Sequence, residues 1–155
     1  KVDELKSYGC TMNLNDGTDY CVPSSGSNCS VNVSGNLWLS AYTPYLDGST
    51  IPVAAALVFD TYFDIDSTDA AWAYVYKQGS TQVIASFRIK QYACGLTGNG
   101  NCPKKFYKDV VLPLNNVKGS KFRIRFLVNG STQGNKGKGL FIDNVRAVKV
   151  STGGG

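Results

Sequence analysis

The chain has 155 residues, enough for one domain with its own core; 43 % are apolar and 17 % charged, which excludes a disordered chain. A net charge of +5, with the 16 basic residues spread along the sequence, excludes a concentrated nucleic-acid footprint. No 18-residue apolar run is present, which excludes a membrane-spanning helix.

The first 34 residues read as a loop-rich segment, with a helical turn at Val2–Ser7, and carry Cys10, Cys21 and Cys29 in Ser/Asn/Gly-rich surroundings. Such a stretch buries too little apolar surface to hold itself, so one pair of these cysteines is expected to staple it onto the domain. The third is then left for a missing segment or another chain. Sequence does not choose among the pairings. Cys94 and Cys102 flank the Gly-rich GLTGNGN and are expected to bond. Disulfides of this kind point to an oxidising, extracellular or cell-surface location. The Lys1 start reads as a processed or excised fragment, and STGGG at 151–155 reads as linker. Sequons at Asn28, Asn32 and Asn129 carry little weight in a chain so rich in Asn and Ser.

From 35 to 150 the pattern is all strand. Strands are predicted at Asn36–Tyr42, Val53–Phe63, Ala71–Lys77, Thr81–Lys90, Phe106–Leu112, Lys121–Val128 and Leu140–Val150, separated by loops rich in Gly, Pro, Asp and Asn. Without helices to cross over, the strands must run antiparallel, so the expected fold is an all-β antiparallel β-sandwich. Period-two spacing assigns faces. Ala55, Leu57, Phe59 and Phe63 share one side, as do Val83, Ala85, Phe87 and Ile89. Phe122, Ile124, Phe126 and Val128 alternate with Lys121, Arg123 and Arg125. In the third strand Ala71, Ala73 and Val75 oppose Trp72, Tyr74 and Tyr76, which are either core or an outward platform.

Three constellations bear on chemistry. Asp60, Asp64, Asp66 and Asp69 form an acidic cluster in which Asp64, Asp66 and Asp69 suit calcium, a cation that takes hard oxygen ligands. Alternatively, Asp66 and Asp69 are turn formers bonding nearby N–H groups. Asp143, alone in the apolar run LFIDNV, reads as a further metal ligand, an ion-pair partner, an acceptor of loop amides, or a residue at a bulge that reaches solvent. Trp72, Tyr74 and Tyr76 with Arg88, Arg123 and Arg125 suit glycan binding: flat rings stack on sugar rings, and guanidinium forks bond hydroxyls or carboxylates. The same composition recurs at protein interfaces. Catalysis has little footing. There is no histidine for a nucleophilic triad, and no Gly-rich phosphate loop opens a helix.

The segments ALVFDTYFDIDSTDAAWAYVYKQGS and KDVVLPLNNVKGSKFRIRFLVNGSTQGNKGKGLFIDNVRAVKV resemble MAM-like and carbohydrate-binding-module-like domains over about residues 53–150, with LFIDNV the most specific part. The resemblance implies a jelly-roll β-sandwich, an extracellular and non-catalytic role, binding to glycans or proteins, and a structural cation touched by Asp143. The cysteine-rich opening, Leu140 after the loop glycine and the Cys94–Cys102 loop depart from that pattern. The expected function is a glycan-binding module without enzyme activity, nucleic-acid partner or membrane insertion. The alternative is a structural or adhesive subunit of a surface filament or multi-domain adhesin that engages protein partners.

Overall fold

In a computed structural model, residues 12–14, 37–48, 54–115, 117, 119–130 and 139–150 are described. The Val2–Ser7 turn, the pairing of Cys10, Cys21 and Cys29, the sequons at Asn28 and Asn32, and the residues at 151–155 lie outside them. The strands are β1 (Met12–Leu14), β2 (Leu37–Tyr42), β3 (Leu46–Asp47), β4 (Ala54–Asp64), β5 (Ala70–Lys77), β6 (Val83–Arg88), β7 (Phe106–Leu114), β8 (Lys121–Gly130) and β9 (Gly139–Val150). A short helix, α1 (Ile89–Cys94), follows β6. All strand pairings are antiparallel, and the described residues form an all-β fold.

One sheet has the order β1-β9-β4-β7. The other has the order β2-β8-β5-β6, with β3 also pairing β8. β2 and β3 are two parts of one edge, parted at Thr43–Pro44–Tyr45. Pro44 has no N–H for the ladder. Thr43 extends the pairing of β2 by one residue, its N–H donating to the Ile124 carbonyl at 2.9 Å and its Oγ1 accepting from the Ile124 N–H at 3.0 Å, and beyond the break the register has shifted by one, with Leu46 opposite Phe122. Past β3 the chain passes Gly48 so closely that a Cβ there would lie 2.5 Å from the carbonyls of both Val117 and Ser120. Only glycine fits.

The inward faces meet in one core. Ala55, Leu57, Phe59 and Phe63 of β4, Leu112 of β7, and Leu140 and Ile142 of β9 pack against Ala71, Ala73 and Val75 of β5 and Phe122, Ile124, Phe126 and Val128 of β8. Phe59 and Phe126 meet edge-to-face across the sheets at 5.3 Å. These are the inward sets expected from alternation for β4 and β8; for β5, where either side could be core, the inward side is that of Ala71, Ala73 and Val75.

The strand expected over Thr81–Lys90 needs two corrections. It ends at Arg88, and Ile89–Cys94 is helical, closed by Gly95 at φ 76° with its N–H on the Gln91 carbonyl. Six residues are too few for a helical period to stand out. The grouping of Val83 with Ala85, Phe87 and Ile89 also fails. The register slips between Val75 and Tyr76, so Val83 pairs with outward Tyr76 and is 45 % exposed, while Ile84 packs on the core. A bulge inverts the alternation on one side of itself. Cys94 and Cys102 are bonded, with Cα atoms 5.8 Å apart, tying the end of α1 to the approach to β7.

Candidate functional site

The sequence left Trp72, Tyr74 and Tyr76 as either core or platform, and the register decides it. Ala71, Ala73 and Val75 are buried, so the three aromatics stand half-buried on the outer face of the second sheet. Cross-strand pairing then assembles rows. Tyr42 of β2, Arg125 of β8, Tyr74 of β5 and Ser86 of β6 lie side by side. The next row holds Arg123, Tyr76 and Val83, and the row beyond Tyr74 holds Leu127, Trp72 and Arg88. All six ligand-binding candidates, Trp72, Tyr74, Tyr76, Arg88, Arg123 and Arg125, therefore share one surface.

Rings and guanidiniums interleave on it. Trp72 and Tyr74 stack at 5.9 Å with an 11° interplanar angle, and the Arg88 guanidinium sits 5.6 Å from the centre of the Trp72 ring. Arg88 Nη1 also donates to the Thr97 carbonyl at 3.0 Å. Arg123 lies 4.2 Å from the Tyr42 ring centre and 5.3 Å from that of Tyr45, while Arg125 lies 5.6 Å from Tyr42. Tyr42 meets Tyr76 at 6.2 Å. Each such cation–π contact is worth about 0.5–1 kcal/mol at an exposed site, and together they hold long side chains in fixed poses. Close packing burdens ionisation here: burial pushes the Tyr74 hydroxyl above its ordinary value, Tyr76 adds to the effect, and Arg125 opposes it.

Tyr42 and Tyr45 were not among the sequence candidates. They lie on a remote edge segment, and nothing local marks them as the rings that flank Arg123. Their exposures, 45 % and 42 %, make them the most open rings of this face among the described side chains.

The acidic candidates fall in three different places. Asp64 is bridged by Lys104 at 2.9 Å. Asp66 and Asp69 form a turn: Asp66 Oδ1 accepts from Thr68 N, Thr68 Oγ1 and Ser67 Oγ at 3.0–3.2 Å, and Asp69 Oδ2 accepts from Asp66 N at 3.0 Å. The cation that this turn faces is a side chain. The Lys90 ammonium, on a residue only 3 % exposed, donates to the carbonyls of Asp66 (3.2 Å), Asp69 (2.9 Å) and Gly100 (2.8 Å). Burial lowers its pKa, with Asp69 acting the other way. Lys90 went unmarked because backbone carbonyls leave no trace in a sequence.

Asp143 lies elsewhere, at a bulge. β7 and β9 each carry one extra residue beside Asp60 of β4, and each bulge holds a non-glycine residue at positive φ, Asp109 at 52° and Asn144 at 51°. Asp60, 4 % exposed, ties the two together: Oδ1 accepts from the Asp109 N–H at 2.8 Å and Oδ2 from Asn144 Nδ2 at 2.7 Å. Arg146 closes the group by pairing with Asp109 and donating to the Asn144 carbonyl at 2.9 Å. Asp143 itself accepts from the Asn144 N–H at 2.7 Å and is partly exposed, as the bulge alternative required. A shallow depression of about 560 Å³ opens over Asp60, Asp109, Asn144 and Arg146. Among the described residues no three His, Cys, Asp or Glu side chains are grouped to hold a metal ion.

Comparison with protein-family models and with curated proteins gives no match. The reading of the site rests on its geometry.

Proposed function

We propose that this chain is an extracellular, non-catalytic binding module of the jelly-roll kind that recognises glycans on the outer face of its second sheet. The observation that carries the reading is the outward stand of Trp72, Tyr74 and Tyr76 in register with Arg123, Arg125 and Arg88. Stacked, half-exposed rings offer flat apolar area to sugar faces, and neighbouring N–H groups offer donors to hydroxyls. Counting β2 and β3 as one interrupted edge, the two four-stranded sheets fit the strand order of a jelly roll. The Cys94–Cys102 disulfide supports an oxidising location. Among the described residues no helix is long and apolar enough to cross a membrane.

The test is retention on a glycan array and on insoluble polysaccharides. Trp72→Ala and Tyr74→Ala are expected to abolish retention while the far-ultraviolet dichroism stays that of a β-sandwich. No retention of the unaltered protein on any glycan would refute the reading.

The second reading, a structural or adhesive subunit engaging protein partners, draws on the outer edges β6 and β7, where Val83 and Val111 are 45 % and 50 % exposed. Open edges accept an added strand. It predicts concentration-dependent oligomers in sedimentation, and a monomer at all concentrations would refute it.

A further inference from the structure

We propose that the face takes a carboxylate-bearing glycan, a polymer of uronic acids, an inference that rests on the glycan reading above and specifies the charge of the sugar. The charge of the two sheets is unequal. The strands of the second sheet carry Lys77, Arg88, Lys121, Arg123 and Arg125 against one acid, Asp47, which stands opposite Lys121 at one end. The strands of the first sheet carry Asp60, Asp64, Asp109 and Asp143 against Lys108, Arg146 and Lys149. Chain-wide, the excess of positive charge is mild; on the outer face it is concentrated in Arg88, Lys121, Arg123 and Arg125, while Lys77 stands opposite inward Phe122 at the end of β5.

Two of the guanidiniums of this face, those of Arg123 and Arg125, are also unspent, while Arg88 donates to the Thr97 carbonyl. Arg146, on the first sheet, has its carboxylate in Asp109. Arg123 and Arg125 have none, and among the described residues they make no hydrogen bond; Nε of each is buried without an acceptor. What they do have is aromatic rings beneath them, Tyr42 and Tyr45 for Arg123 and Tyr42 for Arg125. A cation–π contact consumes no N–H group, so the Nη donors, which lie in the guanidinium's own plane, remain for a planar carboxylate that can accept two parallel bonds. A neutral sugar would accept single bonds from the same donors and leave three positive charges uncompensated. Charge complementarity therefore favours an acidic ligand, and Trp72 and Tyr74 beside Arg125 favour one that also presents a sugar face. A phosphate polymer such as single-stranded nucleic acid shares the charge, but the disulfide argues for a compartment in which extracellular polysaccharide is the commoner polyanion.

The experiment compares immobilised polygalacturonate with the same polymer after its carboxyls are reduced to hydroxyls, using the whole chain. Retention is expected to be at least about tenfold tighter on the carboxylated form, the scale of a lost charge-assisted bond, and to weaken with added salt. Arg123→Gln with Arg125→Gln should bring both forms to the same level, and Arg125→Lys, which keeps the charge but loses the fork, should fall between. Folding of each variant is checked by dichroism, and the comparison of the two polymers stands on the unaltered protein if a variant does not fold. Equal retention on both polymers overturns the acidic ligand and leaves glycan binding intact. No retention on either, nor on neutral glycans, overturns both. Dextran sulfate or a single-stranded oligonucleotide binding at least as tightly at equal charge concentration overturns the carboxylate assignment.

Discussion

Replacing Lys90 by methionine keeps an unbranched side chain, shorter by the one atom that is the ammonium nitrogen. In the native protein that ammonium meets three backbone carbonyls, those of Asp66, Asp69 and Gly100, at 2.8–3.2 Å inside a site almost closed to water. The carbonyls belong to the backbone and cannot be substituted away. The variant would therefore leave three acceptors facing a thioether. A hydrogen bond to a charged group contributes about 1.5–3 kcal/mol, and each buried acceptor left without a partner costs about 1–3 kcal/mol. Lys90→Met is thus expected to lose about 3–5 kcal/mol, a large part of the 5–15 kcal/mol that typically holds a domain. At roughly 2–4 °C per kcal/mol, the melting temperature should fall by about 10 °C. The matched control is Lys104→Met. Its ion pair with Asp64 is as short, 2.9 Å, but the lysine side chain is 67 % exposed, so the loss should stay under about 1 kcal/mol. Urea unfolding followed by tryptophan fluorescence measures both. A Lys90→Met loss no larger than that of Lys104→Met would refute the cage as a source of stability.

Asp60→Ala removes the buried acceptor shared by two bulges and is expected to cost roughly 1.5–3 kcal/mol, because the Asp109 N–H and the Asn144 amide lose their partner while both residues stay at positive φ; a urea midpoint unchanged from the parent would count against that role. Added calcium is expected to leave the melting temperature unchanged, since the oxygens of the Asp66–Asp69 turn are engaged by N–H, O–H and ammonium donors; a rise reversed by EDTA would establish a cation site at Asp64, Asp66 and Asp69 or at Asp143 instead. In alkali the groups pull in opposite senses. Tyr74 and Tyr107 are pushed above 10.0 by burial, and Lys104 above 10.5 by its hydrogen bond to Asp64, so their contributions are complete below those values and fade as pH rises through the folded-state pKa. Lys90 is lowered from 10.5, so the folded state releases its proton first and stability gains as pH rises from the lowered value to 10.5. Lys90→Met is therefore expected to remove that gain and steepen the alkaline decline, as pH-dependent urea midpoints would reveal; parallel profiles for parent and variant would contradict it.

The charges of the strand face were legible before any fold was known. KFRIRFLV alternates so strictly that Phe122, Ile124 and Phe126 had to go in and Arg123 and Arg125 out, and burial agrees. AAWAYVYK was not legible in the same way, because both of its faces are apolar and periodicity names the sides without saying which is core. Pairing with β8 settles it: Val75 opposite Ile124 and Tyr74 opposite Arg125 give each face one character across two strands. The sequence grouped Asp64, Asp66 and Asp69 by proximity, but strand direction and the turn send them to separate partners.

What the amino-acid order alone determined is therefore what neighbours in the chain can encode. That covers an all-β fold, the inward sets of β4 and β8, the division of β5 into two sides, and a disulfide closing the loop between Cys94 and Cys102. Tertiary structure alone decided the register that slides Arg125 between Tyr74 and Tyr42, the twin bulges at Asp109 and Asn144, and the helix that delivers Lys90 to its carbonyls. Register depends on contacts between distant segments, and a slip of one residue exchanges the faces of a strand. The Lys90 cage lies furthest from view in the sequence, because its acceptors are backbone oxygens that every residue carries.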